Sequence, residues 1–236
     1  MSARAVLFDL DDTLFDHRGC SRDALASVQN SHDALGAMAL DDLETAHSRV
    51  LEELHGDVML GRVPLEQARL ERFRRLIAMS GGTPPDEAVA RTAATYRDRY
   101  KQMRRAVRGA RDLLQALSTR ARIGIVSNNL FDEQREKLEH CGLAGFVDAL
   151  VVSERVGVSK PDPAIFVAAL EALQSDAAET VMVGDSWTAD IAGARAAGIR
   201  PIWFNPLGAK APNGEPVAEL RSLEPAAVVA GLILER

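Results

Sequence analysis

Five short apolar runs punctuate the chain, and polar residues follow closely behind them: Ala5–Phe8, Ile123–Val126, Ala149–Val152, Thr180–Val183 and Pro201–Phe204. Runs this short, with no alternating polar face, fit strands buried on both sides in a parallel sheet. Helical spacing of apolar residues fills the intervals at about 108–119, 130–141, 163–174 and 188–197. Asp162 is the expected N-cap of the third helix, with Pro163 at its first position. Gly198 is the expected stop of the fourth. The alternation predicts an α/β fold, a doubly wound parallel sheet of Rossmann-like form.

Residues 17–105 break the alternation and contain no strand candidate. Asp41 with Glu44 forms a capping-box-like start, after which Leu43, Ala46, Val50 and Leu54 recur at helical spacing. Pro64 opens a helix with Leu70, Phe73 and Ile77 on one face. Beyond Gly81-Gly82-Thr83-Pro84-Pro85, a third stripe runs through Val89, Ala93, Tyr96, Tyr100 and Met103. The expected organisation is a core built from 1–16 and 106–236, interrupted by an α-helical bundle over 17–105. Segment 205–216, rich in Pro, Gly and Asn, is expected to be a surface loop.

Bulk properties narrow the setting. The 236 residues are 47% hydrophobic, an ordinary globular composition, and the formal charge of −6 offers no basic field for a nucleic acid polymer or an anionic membrane. No apolar run approaches the roughly 18–20 residues of a membrane span. The stretch after Met1-Ser2-Ala3-Arg4 stops at Asp9, too early for a signal peptide. Cys20 and Cys141 show neither zinc nor disulfide spacing, and are expected to pack as small hydrophobes in a reducing cytoplasm. The expected assembly is a monomer or a homodimer.

In open α/β sheets, ligands bind beyond the carboxyl ends of the strands. There the runs deliver Asp9-Leu10-Asp11-Asp12-Thr13, Ser127-Asn128-Asn129, Lys160-Pro161, and Gly184-Asp185 with Asp190 five residues on. Asp9 and Asp11, two apart in an extended segment, point to the same side. Carboxylates so close repel one another unless a cation sits among them, and an oxygen-only donor set suits magnesium. A carboxylate attacking phosphorus forms an aspartyl-phosphate and divides one difficult displacement into two. A second carboxyl can protonate the leaving alkoxide and later take a proton from water. Lys160 offsets phosphoryl charge in this scheme, while Ser127 and Asn128 hold its oxygens.

Phe8-Asp9-Leu10-Asp11-Asp12-Thr13-Leu14, Ser127-Asn128, Lys160-Pro161-Asp162-Pro163 and Gly184-Asp185 with Asp190 resemble, in order and spacing, the four motifs of the haloacid dehalogenase-like (HAD) hydrolase superfamily. The helical insert is similar to the cap of its subfamily I. The resemblance implies that Asp9 is the nucleophile and Asp11 the acid/base. It implies Mg2+ held by the Asp9 carboxylate, the Asp11 main-chain carbonyl and Asp185. Thr13, Ser127 and Asn128 are implied at the phosphoryl group, Lys160 beside Asp9 and the phosphate, and Asp190 in support of Lys160 or a metal-bound water. The family's dehalogenases and phosphonatases lack an aspartate at the position of Asp11, so its presence implies phosphate-ester chemistry. The implied substrate is a small phosphorylated metabolite: a nucleoside monophosphate, a sugar phosphate or a phosphoglycolate-like acid.

Two other readings use the same residues. A phosphomutase would return the phosphoryl group to its substrate instead of to water. A response-regulator receiver also carries an acidic pair and a Lys-Pro, but runs about 120 residues without an insert and places its phospho-accepting aspartate further along the chain. Plainer roles are expected elsewhere: Asp12 structural, Trp187 as packing or at a pocket mouth, and His17 and Arg18 at the entry to the insert. Arg91, Arg97, Arg99, Lys101, Arg104, Arg105 and Arg108 are read as a solvated basic face on the last insert helix. Hinges are expected near 14–18 and 104–109.

Overall fold

A computed structural model describes residues 3–29, 33–79 and 83–235. Met1, Ser2, Gly81 and Gly82 lie outside the described residues. The chain divides into two compact units, Met1–Asp16 with Arg105–Arg236, and His17–Arg104. Arg105 falls in the first unit rather than the second, for a local reason. Its carbonyl accepts from the Asp16 N–H at 3.1 Å, and its Nε donates to the Asp16 carboxylate at 2.7 Å.

Every regular element among the described residues of the second unit is a helix: α1 (His17–Gln29), α2 (Asp33–Gly36), α3 (Leu40–Met59), α4 (Leu65–Ala78) and α5 (Asp86–Gln102). Helix α1 packs on α5 and α3 on α4. At the centre Phe73 lies 5.1 Å, ring to ring, from Tyr96, and His47 lies 5.0 Å from the same ring. The tyrosine hydroxyls are satisfied inside the bundle. Ser21 Oγ is 2.9 Å from the Tyr96 hydroxyl and His17 Nδ1 is 2.8 Å from that of Tyr100. Three sequence expectations need correction. The N-cap of α3 is Ala39, and Asp41 and Glu44 form no capping box because both carboxylates turn to Arg22 of α1. On α4 the buried stripe runs through Ala68, Phe73, Leu76 and Ile77, which leaves Leu70 exposed. The basic residues do not form one helix face: α5 ends at Gln102, Arg104 is buried, and Arg105 and Arg108 pair with Asp16 and Glu224.

The first unit is built on six parallel strands, β1 (Ala5–Phe8), β2 (Arg122–Ser127), β3 (Ala149–Val152), β4 (Thr180–Gly184), β5 (Arg200–Phe204) and β6 (Ala218–Leu220), in the spatial order β3-β2-β1-β4-β5-β6. Around them lie α6 (Ala110–Ser118), α7 (Phe131–His140), α8 (Ser153–Val156), α9 (Pro163–Leu173), α10 (Gly193–Ala196) and α11 (Ala226–Leu234). The central strand is fully buried, which explains its uniformly apolar sequence. Asp162 caps α9 by accepting from the Ala164 N–H at 2.9 Å, with Pro163 following it. The helix expected over 188–197 is instead a π-helical turn, Trp187–Ala192, leading into the short α10. Strand β6 and helix α11 follow the 205–216 segment. No described helix is long and apolar enough to cross a membrane.

Candidate active site

The strand order reverses at β1, which has β2 on one side and β4 on the other. At such a switch point the loops leaving adjacent strands part in opposite directions and open a crevice. Phe8 is in register with Ile125 of β2 and Val183 of β4, and those strands run on for two residues and one, to Ser127 and Gly184, on either side of Asp9. Asp9, the next residue, donates its N–H to the Val183 carbonyl at 2.9 Å, which extends the ladder by one bond and fixes its backbone at the lip.

Gly184 ends β4 because nothing larger fits. A Cβ there would lie 2.3 Å from Asp190 Oδ2 and 2.6 Å from its Cβ, well inside van der Waals contact. The π turn supplies the reach that brings Asp190 back over the strand end, a common use of such turns at functional sites. Asp190 is then held at both oxygens. Oδ2 accepts from the Ser186 N–H at 2.9 Å, and Oδ1 faces Lys160 Nζ at 2.7 Å. Trp203 of β5 supports the same loop, donating its indole N–H to the Asp185 carbonyl at 2.8 Å. Trp187 packs edge-on against that ring, a packing role.

Lys160 is the hub of this edge. An ammonium carries three protons, and Nζ has three acceptors: Asp9 Oδ1 at 2.6 Å, the Val126 carbonyl at 2.6 Å and Asp190 Oδ1 at 2.7 Å. Its main chain is clamped too. The Asn128 amide donates to the Lys160 carbonyl at 2.8 Å and accepts from its N–H at 2.7 Å. Burial works against the charge on Lys160, but Asp190 and Asp9 outweigh it and hold the amine protonated. Burial also raises Asp9 well above the usual carboxylate range. Lys160 opposes that shift, while the charges of Asp190 and Asp185 add to it.

Oxygens of Asp9, Asp185 and Asp190 all lie within 4.8 Å of one another. Three carboxyl groups this close repel one another when ionised, and a divalent cation among them would relieve that repulsion. Hard oxygen donors are also the ligands that magnesium prefers, so the residues present fit that ion.

The other sequence-predicted residues divide. Asp11 turns its carboxylate toward α7: Oδ1 is 2.5 Å from Lys137 Nζ, and Oδ2 accepts from Gln134 Nε2 at 3.0 Å and Asn129 Nδ2 at 3.3 Å. Ser127 joins the same group, its Oγ 2.6 Å from Gln134 Nε2. Thr13 is fully buried, and its hydroxyl makes no hydrogen bond with the described residues. The side chain of Asn128 hydrogen-bonds both main-chain groups of Lys160. Gln134 and Lys137 were not foreseen from sequence. The signal was present: both occupy the buried face of α7 beside Leu138, where a helix ordinarily places apolar side chains.

An acidic cluster at the switch point of a doubly wound parallel sheet sets the chain among the α/β enzymes that work at the carboxyl ends of their strands. The chain belongs to the haloacid dehalogenase-like hydrolases, whose family model matches residues 3–198. It is 33% identical to a ribulose-1,5-bisphosphate 5-phosphatase of Halopiger xanaduensis over 86% of this chain and 85% of that one. It is 32% identical to a glyceraldehyde 3-phosphate phosphatase of Methanopyrus kandleri over 83% of this chain and 81% of that one. Among solved structures it is similar to the magnesium-bound HAD-hydrolase YfnB of Bacillus subtilis, with a TM-score of 0.79 and 27% identity over 98% of this chain and 100% of that one.

Proposed function

We propose that the protein is a magnesium-dependent phosphatase that hydrolyses a small phosphomonoester through an aspartyl-phosphate on Asp9. One observation carries the reading. Asp9 stands at the switch point with its Oδ1 held 2.6 Å from Lys160, inside a carboxylate cluster suited to a divalent cation. An oxygen of Asp9 attacks phosphorus, and the bond from phosphorus to the ester oxygen breaks. Asp11 protonates the departing alkoxide. Water then attacks the phosphorus of the aspartyl-phosphate, Asp11 takes its proton, and the bond to Asp9 breaks to release inorganic phosphate.

Lys160 keeps Asp9 aimed and places a fixed positive charge beside the transferring group, with no reorganisation needed at the moment of reaction. Ser127 and Thr13 are assigned to the phosphoryl oxygens, Asn128 to Lys160, and Asp190 to the same lysine. The Asp9 and Asp185 carboxylates, with the Asp11 main-chain carbonyl, are assigned to Mg2+, which when bound supplies positive charge against the phosphoryl oxygens. The helical unit is assigned as the cap that selects substrate. The proposed substrate is a sugar phosphate, a nucleoside monophosphate or a phosphoglycolate-like acid; the names of the two relatives above support the first, and a pyrimidine 5'-nucleotidase of Escherichia coli, 42% identical over 45% of this chain, supports the second. Cys20 and Cys141, which form no disulfide, suit a cytoplasmic enzyme, and a monomer or homodimer is the assembly proposed.

The test is phosphate release from p-nitrophenyl phosphate by wild type and Asp9→Asn, with and without Mg2+. Wild type should turn over only with the metal, and the variant not at all. Equal turnover by the two proteins removes Asp9 as nucleophile.

A further inference from the structure

The carboxylate assigned to acid/base chemistry is not free to choose its direction. Both Asp11 oxygens are engaged from α7, whose Gln134 and Lys137 stand three residues apart and so share a face. Lys137 has a side chain only 3% exposed, unusual for a lysine, and its ammonium lies 2.5 Å from Asp11 Oδ1 and 5.1 Å from the centre of the Phe15 ring. Burying an ammonium is costly unless a carboxylate and further contacts compensate it, so a structural surface role does not account for its place. Gln134 is fully buried, and its Nε2 reaches Asp11 Oδ2 at 3.0 Å and Ser127 Oγ at 2.6 Å. The amide turns its nitrogen to both oxygens, the arrangement that suits an ionised Asp11, and its own Oε1 makes no hydrogen bond with the described residues.

We propose that Lys137 and Gln134 are positioning residues that set the orientation of the Asp11 carboxylate, and that Gln134 ties that orientation to Ser127. Lys137 holds one oxygen while Gln134, with Asn129 at 3.3 Å, holds the other, so rotation of the carboxyl group costs all three contacts at once. Because one amide nitrogen bridges Asp11 and Ser127, displacement of Ser127 by an arriving phosphoryl group is felt at Asp11. The inference rests on the reading of Asp11 as proton donor and acceptor.

The experiment compares kcat/KM for p-nitrophenyl phosphate and for glycerol 2-phosphate. Nitrophenolate leaves without a proton, whereas the glycerol alkoxide needs one, so faulty aim of Asp11 shows selectively on the second substrate. Lys137→Met should lose about 100-fold on glycerol 2-phosphate and less than about 10-fold on p-nitrophenyl phosphate. Lys137→Arg should recover most of the loss, and Gln134→Met should repeat the selective pattern more weakly. Asp11→Asn provides the reference. If it shows the split and Lys137→Met and Gln134→Met do not, or lose equally on both substrates, the positioning role is overturned. If Asp11→Asn retains full activity on both substrates, it is the acid/base reading that fails. Thermal melts of each variant separate a loss of fold, which would depress both substrates together and leave Gln134→Met and Lys137→Arg to decide.

Discussion

Replacing Lys160 by methionine keeps most of the side chain's length and removes its charge. The ammonium has three close acceptors, and two of them, Asp9 and Asp190, carry side chains only 11% and 1% exposed. The variant therefore leaves two buried carboxylates facing each other and strands the Val126 carbonyl. Removing one partner of a buried pair costs about 3–5 kcal/mol, mostly through the charge left behind. An exposed pair such as Arg135 with Asp132 is worth less than about 1 kcal/mol, so the two sites should differ clearly. In a domain of this size the loss corresponds to a fall in Tm of about 6–20 °C. The assay is denaturant unfolding in metal-free buffer near pH 7, followed by circular dichroism. Adding Asp190→Asn should recover about 0.5–3 kcal/mol, since it removes one of the opposed charges. A Lys160→Met protein within about 1 kcal/mol of wild type, unaffected by the second change, would refute the view that this ammonium neutralises the cluster.

Two further predictions concern the strand end and the helical unit. Gly184→Ala forces a methyl group onto Asp190, so it should cost about 1–3 kcal/mol and lower turnover, while Gly56→Ala, with open space around it, should do neither; equal behaviour of the two alanine variants in melts and turnover counts against the close-approach account. Burial, helped by the charges of Arg72 and His17, holds His47 well below its ordinary pKa. The unfolded chain then binds a proton that the folded one refuses, so stability is present above about pH 6.5 and falls as pH drops below it, by at most about 1.4 kcal/mol per pH unit. Denaturation between pH 5 and 8 checks this, and His47→Leu should flatten the dependence; an unchanged slope means that other groups are responsible.

Much of the core was legible because its signals are local. A strand buried on both faces must be apolar throughout, so β1, β2 and β4 announced themselves; the partly buried β3 and β5 carry apolar runs too, and Asp162-Pro163 wrote the start of α9 within two residues. Elements whose stability comes from neighbours were silent. Strand β6 has three residues, two of them exposed, and exists because β5 offers it an edge. Helix α11 is apolar on every side and shows no helical stripe, because its burial is set by packing against α6. Asp41 and Glu44 matched a capping pattern, yet Arg22 from another helix outcompeted the backbone for both. The π turn was invisible because the contact it serves, the close approach of Asp190 to Gly184, exists only after β4 and the turn have met.

The same division runs through the site. Sequence alone determined which residue types stand at the strand ends, since motif order and spacing are properties of the chain. It also determined the family, and the presence of Asp11 that points to phosphate esters. Tertiary structure decided which of those groups meet. It delivered three acceptors to the three protons of Lys160, committed Asn128 to that lysine's backbone, and brought Gln134 and Lys137 from a separate helix onto Asp11. Spacing along a chain sets which groups are available, but hydrogen bonds act over about 3 Å and carry no memory of sequence distance, so only the folded sheet could select among them.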